Sequence, residues 1–174
     1  MNLLISLPSF DRKSGNLNVV IDTPKGSRSK FAFDQERNAY VLKRILPKGM
    51  VFPFDFGSIP GTVAEDGDPL DVLVLMDAAA FVGCLVEARL LGVIEAKQTE
   101  RGKTKRNDRL VAVAAESPTH TDIKSLADIS ARLLLEIEHF FVSYNEVTGK
   151  KFKPLSRRNP KEAAKLIARQ QRRN

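Results

Sequence analysis

The feature that most constrains the fold is a change of hydrophobic period about two thirds of the way along the chain. Before it, short segments rich in Val and Leu predict strands at 17–22, 31–33, 39–46, 71–76, 85–96 and 109–115. In the first of these, Leu17, Val19 and Ile21 alternate along one face. Strands followed by helices predict an α+β domain, mainly β, built on a closed or half-closed β-barrel.

Helical periodicity begins after this β-rich part. Apolar residues three or four positions apart predict an amphipathic helix over 126–144. A second helix is predicted over about 159–174, with Asn159 as N-cap and Pro160 at the first helical position. Residues 48–61 carry two prolines and three glycines, which argues against regular structure there, and 97–108 reads as a polar hairpin or extended loop.

Length and composition bound the class of protein. A chain of 174 residues is typical of one domain, here taken as 1–174. Cys84 is the only cysteine, so an intrachain disulfide is excluded, and two histidines exclude a three-histidine metal site. The apolar stretch at 72–86 contains Asp77 and is too short to span a bilayer. With no signal-peptide pattern at the N-terminus, we expect a cytoplasmic protein without membrane contact.

Positive charge is concentrated at the C-terminus. The chain has a formal charge of +7, and residues 150–174 contain ten basic residues but only one acidic residue, Glu162. Such a tail can attract nucleic acid or another polyanion, although most basic runs are solvated faces. We expect residues 170–174 to be dispensable for folding and to contribute only to this attraction.

The segment EDGDPLD at 65–71 is the strongest candidate for chemistry. Asp66, Asp68 and Asp71 repel one another, and hard cations such as Mg²⁺ compensate this repulsion well. The alternative is an exposed turn that enters a strand. Lys30 and the adjacent Lys43 and Arg44 could face such a site, but neighbouring residues of a strand point to opposite faces, so only one of the last two is expected to do so. A site that combines carboxylates, Mg²⁺ and basic side chains can bind a phosphoanhydride and stabilise the negative charge of its phosphate groups.

The segments VIDTPKGSRSKF, VLKRILPKGMVFPFDFGSIPGT, EDGDPLDVLVLM, GCLVEARLLGVIE and HFFVSYNEVTGKKF resemble, in order and spacing, the soluble family I inorganic pyrophosphatases. The resemblance covers residues 19–152 and continues weakly into the last helix. It implies an OB-like closed β-barrel with flanking helices, dependence on Mg²⁺ (or Mn²⁺ or another divalent cation), and hydrolysis of pyrophosphate to two phosphates. It also implies a homo-oligomer, often a hexamer in bacteria.

Individual positions carry the family's roles to different degrees. Asp66 and Asp71 match metal-binding aspartates, Asp68 matches the carboxylate that activates water, and Asp22 stands where a metal-site Glu is usual. The positions that match substrate-binding residues are Lys30, Arg44 and Tyr144.

Other positions depart from the family pattern. Ala32 replaces a glutamate, Asn145 a lysine, and Phe52 and Phe56 two tyrosines. Where the family has two further metal-binding aspartates, this chain has Gln98 and Asn107; Asn107 can still ligate through its amide oxygen, and Asp108 could substitute if the register shifts, in which case Arg109 replaces a common lysine.

The loss of carboxylates implies weakened hydrolysis of pyrophosphate, because fewer divalent cations can be held. Two alternatives follow. One is a non-catalytic or repurposed relative that binds another phosphate compound. The other is an OB-like nucleic-acid-binding module that uses residues 97–109 and the basic tail, although the chain has no Trp and only two Tyr for base stacking.

Overall fold

A computed structural model describes residues 6–171 of the chain. The strands are β1 (Leu17–Thr23), β2 (Ser29–Asp34), β3 (Ala39–Ile45), β4 (Asp55–Ser58), β5 (Asp71–Leu75), β6 (Leu85–Glu100), β7 (Lys103–Arg106), β8 (Arg109–Ala114) and β9 (Lys151–Arg158). The helices are α1 (Ala131–Glu146) and α2 (Pro160–Gln170). The prediction of an α+β fold that is mainly β is confirmed.

Five strands pair in a closed ring. β1 pairs with β4, β4 with β5, β5 with β8, β8 with β6, and β6 returns to β1. The β5–β8 pair is parallel and the others are antiparallel. Beyond the ring, the second half of β6 pairs with β7 on one side and with β9 on the other. β6 thus extends beyond the ring, with β7 and β9 paired to it, and reaches the site described below.

β6 carries a bulge between Leu90 and Gly92, where it pairs with β8. Gly92 has φ +152, and a Cβ there would collide with the backbone oxygen of Arg158 and with the Leu126 side chain. Only glycine tolerates both the conformation and the close approach. Glycine at this position therefore allows β6 to approach Arg158 of β9 and Leu126 this closely.

The apolar core has two parts, divided by strands whose side chains alternate between them. On β5, Val72 and Val74 pack in the cluster that includes Ala163 and Ile167 of α2. Leu73 and Leu75 pack in the other cluster, together with α1. A strand that is buried on both faces reads as a continuous apolar run, which explains the composition of β5 and β8.

β2 and β3 form a separate hairpin in which β3 carries a bulge. Lys30 pairs with Arg44 and Phe31 with Leu42, so Lys43 is the extra residue. Because a bulge re-aims side chains, Lys43 and Arg44 reach the same cavity. The expectation that only one of them would do so was wrong for this reason.

Two sequence-based assignments also need correction, and a third is settled between its alternatives. The long helix begins at Ala131 and not at residue 126, because Ser125 caps a short 3₁₀ turn at Leu126–Asp128 and Ser130 then caps α1. Residues 48–61 are not wholly irregular, since β4 lies within them. Residues 97–108 form the β6–β7 hairpin, one of the two predicted forms.

The second predicted helix is present as α2, capped by Asn159, whose side chain accepts a hydrogen bond from the N–H of Glu162. Residues 172–174 of its predicted range lie outside the described part of the chain. Among residues 6–171, no helix is both long and apolar enough to cross a membrane.

Candidate active site

A cavity of about 480 Å³ opens between the β2–β3 hairpin, the loop before β5, the β6–β7 hairpin and the end of α1. Its acidic lining residues are Asp22, Asp34, Asp66, Asp68 and Asp71, and its basic ones are Lys30, Lys43, Arg44, Arg109 and Lys150. The remaining lining residues include Ala32, Phe56, Ser58, Gln98, Asn107, Tyr144 and Asn145. The cavity thus brings together every site residue predicted from the sequence except Asp108.

The acidic loop is held by its own main chain. The N–H of Ala64 donates to the carbonyl oxygen of Asp68 at 2.7 Å, and Gly67 turns the loop with φ +92. Burial, and then the charges of Asp66 and Asp71, raise the pKa of the Asp68 carboxyl. The carboxyl groups of Asp66, Asp68 and Asp71 are therefore close enough to repel one another where the loop enters β5.

Asp22 faces this loop from β1. Its side chain is buried, and one oxygen accepts a hydrogen bond from the Ser58 hydroxyl. The other oxygen has no hydrogen-bond partner among the described residues. Burial raises the pKa of Asp22 to about 7, despite the opposing effects of Ser58 and Lys30. An ionised Asp22 would therefore be stabilised by a cation in the cavity.

Two basic residues of the β2–β3 hairpin, Lys30 and Arg44, lie over aromatic rings. The Lys30 Nζ lies 4.3 Å from the centroid of Phe56, and the Arg44 guanidinium lies 5.5 Å from that of Tyr144. Burial lowers the pKa of Lys30, an effect that Asp71 and Asp22 oppose. These cations are thus held on a stiff apolar floor and directed at the acidic loop.

Arg109, at the start of β8, closes the floor of the cavity. Its Nη1 lies 2.6 Å from Asp71 Oδ2 and also donates to Asn107 Oδ1. Asn107 in turn donates through Nδ2 to Gln98 Oε1 at 2.8 Å. Asn107 therefore lies in the cavity, but its oxygen is engaged by Arg109.

Asp108 lies between β7 and β8 and is not among the residues that line this cavity. Its carboxylate accepts from the Ala96 N–H at 2.9 Å and pairs with Arg106 at 3.0 Å. Arg106 also pairs with Glu95, in an adjoining cavity beneath α2. Asp108 thus lines the adjoining cavity, which Asp66, Asp71 and Asn107 also line, and not the cavity that holds Asp68.

Known proteins match both the sequence and this architecture. The family model for inorganic pyrophosphatase matches residues 19–174. The chain belongs to the inorganic pyrophosphatase family. The inorganic pyrophosphatase of Synechocystis is 40% identical over 138 residues, 79% of each chain, and that of Halalkalibacterium halodurans is 38% identical over 151 residues, 87% of this chain and 90% of the relative. The crystal structure of the Thermus thermophilus inorganic pyrophosphatase superposes with a TM-score of 0.87 at 33% identity, covering 97% of this chain and 95% of that one.

The pyrophosphatase family generally depends on divalent metal ions, and the residues of this cavity fit a hard cation in part. Asp66 and Asp68 repel each other, and Asp22 has a buried oxygen without a partner. A cation would relieve both conditions. Within residues 6–171, however, no three His, Cys, Asp or Glu side chains form a group ready to hold a metal ion. Beside Asn107 the fit fails, because Arg109 already contacts Asp71 there.

Sequence reasoning missed two features of this pyrophosphatase-like cavity. The family resemblance marks Arg109 only as a replacement for a lysine, although its side chain is one of the buried charges of the cavity. Ser58 was not singled out, although it donates to Asp22. An arginine entering an apolar strand was a usable signal for the first, since a buried guanidinium needs an acidic partner. Nothing local indicated the second, because the pairing of Ser58 with Asp22 depends on the β1–β4 register.

Proposed function

We propose that this cavity is where the chain hydrolyses inorganic pyrophosphate. The observation that carries the proposal is the meeting of the acidic loop at 65–71 with Lys30 and Arg44 in one cavity. In the reaction a water oxygen forms a bond to one phosphorus while the bridging P–O bond breaks. The bridging oxygen leaves with the electron pair on the second phosphate.

The charge of the cavity supports a requirement for divalent cations. Five acidic and five basic lining side chains nearly cancel, whereas the substrate is a polyanion. We propose that Asp66 and Asp71 hold Mg²⁺, with Mn²⁺ or another divalent cation as substitutes, and that Asp22 contributes to the same charge cluster. When bound, such ions neutralise phosphate oxygens and lower the pKa of a bound water.

Asp68 is proposed as the group that orients the attacking water and accepts its proton. Its raised pKa makes the carboxylate a stronger base than an ordinary aspartate. Its position beside Asp66 and Asp71 keeps this base next to the carboxylates proposed for the metal.

Lys30, Arg44 and Tyr144 are proposed to bind the phosphate groups. The two cations offer N–H donors and positive charge for the non-bridging oxygens, and a guanidinium can contact two of them at once. Burial raises the pKa of the Tyr144 hydroxyl, so it stays protonated and can donate a hydrogen bond. Asn145 adds no positive charge, and one N–H of its Nδ2 donates to the Phe141 carbonyl at 2.8 Å.

We further propose that turnover is weaker than in relatives that keep the family's acidic residues. Gln98 and Asn107 bring no negative charge, and Ala32 brings no carboxylate. Asn107 and Asp108, both first considered as ligands, are committed to Arg109 and Arg106. A non-catalytic protein that binds another phosphate compound is the alternative that these losses favour.

The ring of five strands supports an OB-like closed barrel, and one domain over 1–174 is proposed because the ring strands contribute to both core clusters. We also propose a cytoplasmic homo-oligomer, such as the hexamer implied by the family. Exposed apolar side chains, including Ile45 at 61% and Phe81 at 70%, suit contact with a second copy.

A nucleic-acid-binding role is less favoured by the structure. Arg106, Arg109, Arg157 and Arg158 form ion pairs with Glu or Asp within the chain. Such pairing leaves fewer cations for a phosphate backbone.

The test is phosphate release from pyrophosphate by the purified chain, with Mg²⁺ and with EDTA. We expect release only with the cation, and its loss when Asp71 is replaced by asparagine. Absence of release under both conditions would leave the phosphate-binding alternative. A salt-titrated single-strand binding assay tests the nucleic-acid module.

A further inference from the structure

Arg109 is fixed at the floor of the cavity. Its side chain is 5% exposed, and the guanidinium carbon lies 5.0 Å from the ring centroid of Phe141 and 5.4 Å from that of Phe152. Packing on both rings leaves the guanidinium little freedom to swing into solvent. Its charge is therefore a permanent part of the site.

The groups around Arg109 match this one positive charge. The Asp71 carboxylate forms an ion pair with Nη1 at 2.6 Å, and Asn107 accepts a hydrogen bond from the same nitrogen. The amide of Asn107 is fixed from its other end by Gln98. A carboxylate at 107 could not donate to Gln98, so the two neutral amides and the arginine form a connected set, in which Arg109 Nε is without a hydrogen-bond partner among the described residues. The set contains a single ion pair, formed by Arg109 and Asp71.

We propose that Arg109 takes the place of one divalent cation beside Asp71, so that the cavity holds fewer metal ions than it would with aspartate at 107 and lysine at 109. The proposal rests on the proposed function, since it concerns which groups supply positive charge to a phosphate substrate in the same cavity. It differs from the role that the family resemblance allows for Asn107, which is to ligate a metal through its amide oxygen.

Electrostatics and ligand availability both support this substitution. A divalent ion between Asp71 and Asn107 would have to displace a buried guanidinium and then remain beside it, where like charges repel in a medium of low effective dielectric. The Asn107 oxygen already accepts a hydrogen bond from Arg109. An ammonium group on a flexible stem could move away from an arriving metal, whereas the rigid, delocalised guanidinium cannot do so easily.

The number of Mn²⁺ ions bound without substrate tests the proposal. Electron paramagnetic resonance of free Mn²⁺ during titration gives this number for the unchanged chain and for the double variant Asn107→Asp/Arg109→Lys. We expect the double variant to bind one additional ion per chain. The matched control is Arg106→Lys, the same exchange on a residue whose partners face the adjoining cavity, and it should leave the number unchanged. Equal numbers for the unchanged chain and the folded double variant would overturn the proposal.

A second measurement needs no variant. In crystals of the unchanged chain grown with Mn²⁺, we expect no anomalous density within about 2.2 Å of both Asp71 and Asn107. A peak there would overturn the proposal even if the double variant failed to fold. Neither measurement uses pyrophosphate, so absence of hydrolysis together with a gain of one ion would reject the proposed function and leave this inference standing.

Discussion

The main-chain N–H of Val63 donates a hydrogen bond of 2.8 Å to the carbonyl oxygen of Gln170, the last residue of α2. The next residue, Gln171, forms a β-bridge with Thr62. The Thr62 hydroxyl in turn accepts from the Leu70 N–H at 2.9 Å. The end of α2 is thus hydrogen-bonded to the segment that leads into the acidic loop. Residues 170–171 are therefore not part of the free tail that the charge pattern suggested.

Deletion of residues 170–174 should therefore destabilise the protein, contrary to the expectation from sequence. The loss of the two main-chain contacts should lower the free energy of unfolding by about 1–3 kcal/mol. Deletion of residues 172–174 alone is the control, because both deletions remove Arg172 and Arg173 and therefore the same charge. Urea denaturation gives the comparison. If the two truncated chains unfold at the same urea concentration, the contacts at Val63 and Thr62 are not stabilising.

Replacement of Asp68 by asparagine should lower the turnover number for pyrophosphate by about 10²–10⁴-fold, the usual contribution of a general base. The control is Glu65→Gln, which removes the same charge from the same loop but on a side chain that faces the adjoining cavity. Both variants are compared by phosphate release in saturating Mg²⁺. An Asp68→Asn variant as active as Glu65→Gln would exclude Asp68 as the base.

Asp22 should make metal-free protein less stable as pH rises. Its pKa is raised from 3.8 to about 7, so the folded state holds a proton that the unfolded chain has already released. The free energy of unfolding should fall between pH 4 and pH 7, by up to about 4 kcal/mol in total. The replacement Asp22→Asn should reduce this fall. Part of the fall in stability should remain in this variant, because burial also raises the pKa of Asp55.

The measurement is urea denaturation across this pH range in EDTA, for the unchanged chain and for Asp22→Asn. A fall of the same size in both proteins would show that Asp22 does not titrate as the structure indicates.

Restoring charge to the cavity should speed hydrolysis. The combination Ala32→Glu, Gln98→Asp, Asn107→Asp and Arg109→Lys is expected to raise the turnover number on the order of tenfold, about 1.4 kcal/mol of transition-state stabilisation. Arg109 is included because an aspartate at 107 would otherwise pair with it. Asn145→Lys is omitted, because Asn145 is 2% exposed and a lysine there would bury its charge.

Initial rates of phosphate release at saturating pyrophosphate and Mg²⁺ measure this effect. The effects of the four changes are not expected to add, since they act on one charge cluster. A combined variant no faster than the unchanged chain would show that the unchanged cavity already compensates for the lost carboxylates.

Local sequence patterns were sufficient for most of the fold. The alternation in β1, the apolar runs of β5 and β8, and the Asn159 cap of α2 are each set within a few residues, so period and capping rules find them. β4 was missed because prolines and glycines surround a strand of only four residues. Its pairing with β1 and β5 stabilises it, and a local sequence pattern cannot reveal the contribution of strands that lie elsewhere along the chain.

The sequence by itself determined the family, the acidic loop and the basic residues opposite it, because these depend on residue types in a fixed order. Only the tertiary structure decided how the charges are paired. The β3 bulge turns Lys43 toward the cavity, contacts with Arg106 and Ala96 hold Asp108 outside it, and the ring of strands places Arg109 against Asp71. The physical reason is that a buried charge is defined by neighbours that are distant along the chain, and those neighbours meet only when the strands take up their register.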